Sequence, residues 1–217
     1  MKKYKVADIF YSLQGEGGWA GTPMVFVRFA GCNLNCHFCD TNHNDGIEMT
    51  AVEIATRVIS ILADKIGIKP IDMTVCFTGG EPLLQLDSEL LLAVKAIRGP
   101  VTTYIHLETN GTLAPPTQSG FRCITISPKK KAGSNLGGVL SFGRNVELKI
   151  IWDTTDKAKL DSIWYSWTEP KYKYHRKYIQ PMTNSDGTTN VEEVMEFILI
   201  HPEWNLSLQI QNILKIK

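Results

Sequence analysis

The chain has 217 residues, of which 43% are apolar and 21% charged, and its net charge is +1. This balance is typical of a globular protein, and so small a net charge excludes a global field that would attract nucleic acid or a membrane surface. No apolar run approaches the about 18 residues that a membrane span needs, and the first residues lack the apolar segment of a signal peptide. Five cysteines in a chain of this length do not indicate a disulfide framework, so we expect a reducing, cytoplasmic environment.

Predicted strands and helices alternate along most of the chain. Runs rich in β-formers predict strands at residues 5–12, 24–30, 73–77, 101–107, 121–126, 145–152, 177–181 and 206–210. Apolar residues at helical spacing predict helices at about residues 51–66, 88–98, 154–167 and 190–200. Capping residues mark three of the helix starts, namely Thr50 with Glu53, Asp87, and Asn190 with Glu193. The alternation favours parallel βα units in an α/β fold.

Polar motifs recur directly after the predicted strands. They are the loop that contains Cys32, then Thr78-Gly-Gly-Glu-Pro82, Glu108-Thr-Asn-Gly111, Ser127-Pro-Lys129 and Gln180-Pro-Met182. Because parallel α/β folds build their sites at the carboxyl ends of strands, we expect all five motifs to gather at one rim. About six core strands with about four helices predict a partial barrel rather than a closed eight-fold one. We expect a single domain over residues 1–217.

The stretch Cys32-Asn-Leu-Asn-Cys36-His-Phe-Cys39 places three cysteines within eight residues. Thiolates are soft ligands that suit iron–sulfur clusters, zinc or Cu(I). A zinc site or an ordinary cubane would require a fourth ligand, whereas a cubane held by three thiolates leaves one iron open to a substrate or cofactor. The alternatives are a zinc site completed by His37 or His43, and three unrelated cysteines.

Other features have more than one interpretation. Arg28 interrupts an apolar strand, so it lies at the sheet rim, in solvent, or beside an anionic ligand. The segment 171–178 mixes basic residues with tyrosines, and we favour a solvated loop over a nucleic-acid patch. Cys76 and Cys123 lie in apolar runs and are expected to be small buried hydrophobes.

The cysteine triplet together with Thr78-Gly-Gly-Glu-Pro82 resembles the radical SAM superfamily, in which a cluster-bound S-adenosylmethionine is cleaved to a 5′-deoxyadenosyl radical. A closer resemblance, over essentially the whole chain, is to the 7-carboxy-7-deazaguanine synthase family. It rests on six further motifs, which occur in family order: Tyr11-Ser-Leu-Gln-Gly-Glu-Gly17, Phe26-Val-Arg-Phe-Ala-Gly-Cys-Asn-Leu-Asn-Cys36, Cys39-Asp-Thr41, Glu108-Thr-Asn-Gly111, Ser127-Pro-Lys129 and Gln180-Pro-Met182. The fold implied is a partial (β/α)6-type radical SAM barrel with reduced helix content.

This resemblance implies a lyase that converts 6-carboxy-5,6,7,8-tetrahydropterin to 7-carboxy-7-deazaguanine and releases ammonia, on the way to queuosine and related 7-deazaguanine nucleosides. The implied cofactors are a [4Fe–4S] cluster, S-adenosylmethionine and Mg²⁺, and the chemistry starts with hydrogen abstraction from C6 of the pterin. The implied partners are an electron donor such as flavodoxin and a second copy of the chain, with no membrane and no direct nucleic-acid binding.

The resemblance also implies a role for individual residues. The implied metal ligands are Cys32, Cys36 and Cys39 for the cluster and Thr41 for Mg²⁺. The implied S-adenosylmethionine contacts are Phe38, Cys39, Asp40, Gly80, Glu81 near the methionine amine, Glu108, Ser127, Pro128, Lys129, Gln180, Pro181, Met182 and Thr183. The implied substrate contacts are Leu13, Gln14, Gly15, Glu16, Arg28 at the carboxylate, Thr78, Gln211 and Lys217. The loop 11–18 is expected to bind substrate, and the tail 206–217 to close the site.

One position departs from the family pattern. Family members usually carry Leu-Gln-Thr-His near the C-terminus, whereas this chain reads Leu208-Gln-Ile-Gln211. Glutamine can donate a hydrogen bond but cannot titrate, which leaves the substrate fit at this edge open. The alternative functions are a glycyl-radical-enzyme activase, which has the same cysteine spacing but needs an open groove for a protein loop, and a non-enzymatic metal-binding module.

Overall fold

The computed structural model describes residues 1–39, 41–66, 72–97, 102–116, 120–130, 145–170, 172–184 and 186–217. The described residues form one nine-stranded sheet in the order β3-β1-β2-β4-β5-β6-β7-β8-β9. Its strands are β1 (Lys3–Leu13), β2 (Pro23–Phe29), β3 (Ile47–Thr50), β4 (Met73–Gly79), β5 (Thr103–Thr109), β6 (Cys123–Ile126), β7 (Val146–Trp152), β8 (Arg176–Pro181) and β9 (Asn205–Leu206). The α-helices are α1 (Ala51–Ile66), α2 (Ser88–Lys95), α3 (Lys157–Trp167), α4 (Val191–Ile200) and α5 (Ile210–Leu214).

Six neighbouring strands, β2, β4, β5, β6, β7 and β8, run parallel. The short β9 extends this series in parallel, while β1 and β3 are antiparallel additions at the opposite edge. The strand order begins at β3 and ends at β9, so the sheet is not closed into a ring. The prediction of a partial α/β barrel with about six core strands is therefore confirmed.

The two faces of the sheet differ in chemistry. On β2, Val25, Val27 and Phe29 belong to the main apolar core, which packs the sheet against α1, α2, α3 and α4. The alternate residues Met24 and Phe26 belong to a smaller cluster with Phe10 and Cys76 on the other, inner face. Since successive side chains of a strand point to opposite faces, Arg28 also belongs to the inner face. The inner face becomes polar toward the carboxyl ends of the strands.

The predicted starts of α1 and α2 are confirmed. Glu53 N–H donates to Thr50 Oγ1 at 3.3 Å while Thr50 N–H donates to Glu53 Oε2 at 2.7 Å, which is a capping box. Leu90 N–H donates to Asp87 Oδ1 at 3.1 Å. Such caps stabilise a helix by about 1 kcal/mol each.

The predicted cap at Asn190 is wrong in its chemistry. Its side chain makes no capping hydrogen bond to α4. Asn190 instead accepts from Met182 N–H at 2.8 Å and donates to the Trp152 carbonyl at 2.7 Å. The residue therefore joins the ends of β7 and β8 to the start of α4.

The last predicted strand, at residues 206–210, is present but shorter than predicted, because β9 covers only Asn205–Leu206. The strand ends at Leu206, after which Ser207 N–H donates once more to the Ile179 carbonyl at 2.9 Å. Ile210 N–H then donates to the Gly15 carbonyl at 3.0 Å, and helix α5 begins. The chain leaves the sheet because its backbone pairs with the N-terminal loop. The strand β3, not predicted from the sequence, pairs with β1 at the other edge.

Within the described ranges, no helix combines the length and the apolar character needed to cross a bilayer.

Candidate active site

A cavity of about 450 Å³ opens at the carboxyl ends of the parallel strands. Its volume is typical of small-molecule sites, which span about 300–1,000 Å³. The wall takes residues from the ends of β4 to β8, from the cysteine loop after β2, and from the C-terminal tail. The five polar motifs expected at one rim therefore do meet there.

Most predicted site residues line this cavity. Those on its wall are Glu16, Cys32, Cys36, Phe38, Cys39, Thr41, Thr78, Gly80, Glu108, Ser127, Lys129, Gln180, Pro181, Met182 and Thr183. Those outside the wall are Leu13, Gln14, Gly15, Arg28, Glu81, Pro128, Gln211 and Lys217. Asp40 lies outside the described residues.

The three cysteines of the triplet have free thiols, half-buried at Cys32 and Cys36 and exposed at Cys39. Cys39 N–H donates to the Cys36 carbonyl at 3.2 Å, so a tight turn brings these two residues together. The Cys32 sulfur accepts from Leu34 N–H at 3.4 Å and from Asn110 Nδ2 at 4.0 Å. Burial raises the pKa of the Cys36 thiol, while the Lys129 and Lys159 ammonium groups oppose that rise.

A single metal ion and a cubane cluster make different demands on the three cysteines. Among the described residues, no three His, Cys, Asp or Glu side chains converge on a point where one metal ion could be held. In a cubane each thiolate binds a different iron, so the three sulfur atoms need not converge. His37 and His43 both line the cavity, and His37 Nε2 lies 3.6 Å from Asp153 Oδ2.

Gly80 brings the β4 loop against the start of the cysteine loop. A Cβ atom at residue 80 would lie 2.0 Å from the Gly31 carbonyl oxygen, so a larger residue would displace one of the two backbones. Two backbone hydrogen bonds hold this contact, from Gly80 N–H to the Phe29 carbonyl at 3.1 Å and from Glu81 N–H to the Gly31 carbonyl at 2.9 Å. The glycine thereby fixes the backbone just before Cys32.

Glu81, which the resemblance places near the methionine amine, is not on the cavity wall. Its carboxylate is fully buried and accepts from Thr109 Oγ1 at 2.8 Å, Asn110 N–H at 2.7 Å and Leu83 N–H at 2.9 Å. Burial raises the pKa of Glu81, and these three hydrogen bonds oppose the rise. The residue therefore ties the end of β4 to the end of β5.

Lys129 supplies a positive charge on the wall beside the cysteine loop. Its ammonium donates to the Ser127 carbonyl at 2.9 Å and to Ser127 Oγ at 2.5 Å. Burial, together with the positive charge of Lys149, lowers the pKa of Lys129 to about 8. A half-buried cation in this environment favours an anionic ligand nearby.

Gln180, on the cavity wall, carries an unsatisfied polar atom. The residue is 4% exposed, and its Oε1 atom has no hydrogen-bond partner within the described part of the chain. Because buried polar atoms are nearly always hydrogen-bonded in folded proteins, this oxygen marks a place for a ligand donor.

The N-terminal loop and the tail meet beside the cavity. Glu16 Oε1 accepts from Gln209 Nε2 at 3.2 Å and from Gln211 Nε2 at 3.0 Å, while Glu16 Oε2 accepts from the Lys149 ammonium. Burial alone would raise the pKa of Glu16, but the Lys149 charge and these hydrogen bonds bring it below its ordinary value. Gln211 Oε1 has no partner among the described residues.

Glu108 connects two further predicted substrate residues. It accepts from Thr78 Oγ1 at 2.9 Å and from Gln14 Nε2 at 2.8 Å. Gln14 is itself buried outside the cavity wall, and its Oε1 atom accepts from Glu16 N–H at 3.1 Å. Gln14 therefore orients two acidic residues of the wall.

Arg28 and Lys217 lie outside the cavity wall, and both approach the Phe10 ring. The Arg28 guanidinium lies 5.1 Å from the Phe10 ring centre, and the Lys217 ammonium lies 5.2 Å from it. Lys217 also pairs with the Asp8 carboxylate. No ion pair joins Arg28 to a carboxylate of the described part of the chain.

The sequence reasoning did not identify Lys149 and Asn110. Lys149 follows Glu147 by two residues in an otherwise apolar strand, so alternation alone predicts that both face inward. Asn110 belongs to the Glu-Thr-Asn-Gly motif, but its link to Cys32 and its hydrogen bond to Asn33 at 3.0 Å are long-range contacts.

The chain is similar to known proteins by a family model, by sequence and by structure. The family model of the Radical SAM superfamily matches residues 26–117. A 7-carboxy-7-deazaguanine synthase from Bacteroides thetaiotaomicron is 35% identical over 98% of each chain, and one from Bordetella pertussis is 36% identical over 95% of each chain. Among solved structures, QueE from Escherichia coli is similar with a TM-score of 0.66 and 22% identity, over 96% of this chain and 94% of that one. At that identity, the structural likeness supports the fold alone.

Proposed function

Because this chain belongs to the 7-carboxy-7-deazaguanine synthase family of radical SAM enzymes, we propose that it converts 6-carboxy-5,6,7,8-tetrahydropterin to 7-carboxy-7-deazaguanine with release of ammonia. The product is a precursor of 7-deazaguanine nucleosides such as queuosine. The observation that carries the proposal is the meeting of three free cysteines with four post-strand motifs around one cavity of substrate size. The activase and the metal-binding module have no comparable support.

Cys32, Cys36 and Cys39 are the proposed ligands of a [4Fe–4S] cluster, and S-adenosylmethionine is the proposed cofactor beside it. When bound together, these groups supply a radical that can take a hydrogen atom from the substrate. The protein residues bind and orient the reactants and exclude water. Asn110 is proposed to donate a hydrogen bond to the Cys32 sulfur, because hydrogen bonds to ligand atoms tune a metal site.

The wall next to the cysteines suits S-adenosylmethionine. Lys129 supplies a cation for the carboxylate, and Gln180 Oε1 supplies an acceptor for an amino group. Phe38 contributes an aromatic surface, and Gly80 allows close backbone approach. Asp40, Glu108, Ser127, Pro181, Met182 and Thr183 complete the proposed contact set. Glu81 and Pro128 are proposed to act from behind the wall, because neither residue lines the cavity.

Thr41 is the proposed Mg²⁺ ligand. Mg²⁺ prefers oxygen ligands and keeps several positions for water and substrate oxygens. Support comes from the position of Thr41 on the cavity wall, two residues after Cys39.

The loop 11–18 and the tail 206–217 are proposed to bind and cover the pterin. Support comes from the hydrogen bonds of Gln209 and Gln211 to Glu16 and of Ile210 to Gly15. Glu16, Thr78 and Glu108 offer polar atoms to the pterin ring. Arg28 lies outside the cavity wall, on the same face of the sheet, and its guanidinium is proposed to pair with the pterin carboxylate. Arg28 has no protein carboxylate as partner within the described residues, which leaves its charge for a ligand.

A radical SAM enzyme requires a reductant, and we propose an electron-transfer protein such as flavodoxin, with a homodimer as the assembled form. The test of the function is anaerobic turnover of the reconstituted protein with the carboxytetrahydropterin, S-adenosylmethionine, Mg²⁺ and dithionite. Mass spectrometry is expected to show 7-carboxy-7-deazaguanine and free ammonia in equal amounts. A protein that binds the cluster and cleaves S-adenosylmethionine but leaves the pterin unchanged would contradict the proposal.

A further inference from the structure

Asp153 has one satisfied and one unsatisfied carboxylate oxygen. It follows β7, is 6% exposed, and its Oδ1 atom accepts from Thr155 N–H at 3.1 Å and from Thr155 Oγ1 at 2.5 Å. Its Oδ2 atom is buried and has no hydrogen-bond partner among the residues that the structure describes. A buried acceptor without a donor is unfavourable, so a partner for Oδ2 is expected.

A candidate donor is His37, which lies between two cysteines of the triplet. Its Nε2 atom is 3.6 Å from Asp153 Oδ2 and 3.4 Å from Thr155 Oγ1. The first distance exceeds the about 2.7–3.2 Å of a hydrogen bond. The His37 side chain is 56% exposed, so a small rotation can close the gap.

Two further contacts join the same segments. The His37 ring packs edge-on against the Phe38 ring, with 5.0 Å between their centres. The Lys159 ammonium, in the first turn of α3, lies 5.6 Å from the Phe38 ring centre. The segment between Cys36 and Cys39 therefore rests on the connection between β7 and α3.

We propose that Asp153 is a positioning residue for the iron–sulfur cluster: His37 donates its Nε2–H to Asp153 Oδ2 when the cluster is bound and thereby fixes the segment from Cys36 to Cys39. The inference rests on the proposed function, because it takes Cys36 and Cys39 as cluster ligands. Two of the three thiolates come from this segment, and Cys39 is exposed. Restraining this segment is expected to slow the loss of iron from the cluster. In other metal sites, residues that hydrogen-bond to the ligands or orient them increase metal affinity.

Three substitutions at His37 separate the hydrogen bond from ring packing. His37→Ala removes both, His37→Phe keeps a ring without an N–H, and His37→Gln keeps an N–H donor without the ring. The readout is the rate at which reconstituted, full-length protein releases iron to a ferrous chelator under anaerobic conditions. We expect His37→Ala and His37→Phe to release iron about tenfold faster than wild type, and His37→Gln to stay within about twofold of it. A wild-type rate for His37→Phe, or a rate for His37→Gln equal to that of His37→Ala, would overturn the inference.

Asp153→Ala and the double variant His37→Ala/Asp153→Ala complete a cycle. If His37 and Asp153 act through one contact, the double variant should release iron no faster than the faster single variant. A double variant whose rate increase equals the product of the two single increases would contradict the contact. Asp156→Ala is the matched control, because Asp156 caps α3 through Lys159 N–H at 3.0 Å and, among the described residues, makes no hydrogen bond or ion pair with the cysteine loop. Asp156→Ala should release iron at the wild-type rate. If it released iron as fast as Asp153→Ala, the effect would come from a general loosening of the connection between β7 and α3.

The proposed function and this inference fail in different ways. A wild-type protein that binds no cluster after reconstitution would overturn both. A wild-type protein that holds about four irons, with His37 variants that release them at the same rate, would overturn the inference alone.

Discussion

Lys149 and Glu16, 133 residues apart in the chain, form a buried ion pair on the inner face of the barrel. Their side chains are 7% and 15% exposed, and the other Glu16 oxygen is held by the tail residues Gln209 and Gln211. The pair thus joins strand β7, the N-terminal loop and the C-terminal tail at the cavity wall. Since burying two charges is costly, such a pair fixes an arrangement more than it adds net stability.

Lys149→Met is expected to destabilise the protein by about 3 kcal/mol or more, because it leaves the Glu16 carboxylate buried without its cation. Chemical denaturation measures the change. Lys157→Met is the matched control, because Lys157 pairs with Asp161 on an exposed helix surface, where such pairs contribute less than about 1 kcal/mol. Equal losses of unfolding free energy in the two variants would show that the buried pair contributes no more to stability than the exposed pair.

The Glu16 contribution to stability should depend on pH. The folded protein holds the pKa of Glu16 below its ordinary value of about 4.3, so the charged form is favoured by folding. The stabilisation is fully present above that ordinary value and is lost as the pH falls through the lower folded pKa. The difference in unfolding free energy between wild type and Glu16→Gln should therefore be constant from pH 6 to 8 and shrink in acid. A difference that grows in acid would contradict this assignment.

Arg28→Ala is expected to weaken pterin binding by about 2–5 kcal/mol, which is about two decades or more in affinity. Arg28→Lys should not restore binding fully, because lysine lacks the planar fork that matches a carboxylate. Titration of the anaerobic protein with the pterin measures the loss, and S-adenosylmethionine affinity, which should barely change, is the control. The rival role, pairing with Glu16, is not observed, because Glu16 is engaged by Lys149 and the tail. Wild-type pterin affinity in Arg28→Ala would exclude the carboxylate contact.

Thr41→Ala should keep its cluster but lose the stimulation of turnover by Mg²⁺, because the hydroxyl is the proposed protein ligand. The comparison is turnover with and without Mg²⁺ at equal iron content. Thr183→Ala, which removes another hydroxyl from the cavity wall, should retain the stimulation. An unchanged Mg²⁺ response in Thr41→Ala would remove the residue from the metal site.

Gln211→His tests the one departure from the family pattern. Gln211 donates to Glu16 and cannot titrate, whereas a histidine there would change charge near pH about 6.5. The profile of kcat/KM against pH should therefore acquire an additional ionisation near that value in the variant. Superimposable profiles for the two proteins would show that residue 211 does not act on bound substrate.

Local patterns were sufficient for much of the fold. Alternating strands and helices, with glycine-rich or polar motifs after the strands, predicted the parallel sheet and the rim where the motifs meet. Thr50 with Glu53 and Asp87 predicted two helix starts, because a cap depends on residues three apart.

Contacts between segments that are distant in the chain could not be predicted from local sequence patterns. The tail forms a short helix because Ile210 pairs with Gly15, and no local signal records that pairing. The Glu81 carboxylate accepts hydrogen bonds from Thr109 and Asn110, about thirty residues away, and from Leu83. The two long-range partners have no local signal in the sequence. The reasoning applied to Arg28 could also have identified Lys149 as a site candidate, since both are charged residues in apolar strands.

The most direct test of the central claim is the formation of 5′-deoxyadenosine by cysteine variants under anaerobic, reducing conditions. Wild type and Cys123→Ala, which alters a buried cysteine outside the cavity wall, should both form it together with 7-carboxy-7-deazaguanine. Cys36→Ala should form neither, because the cluster loses one of its three thiolates. Wild-type rates of 5′-deoxyadenosine formation in reconstituted Cys36→Ala would contradict the assignment of the triplet as the cluster site.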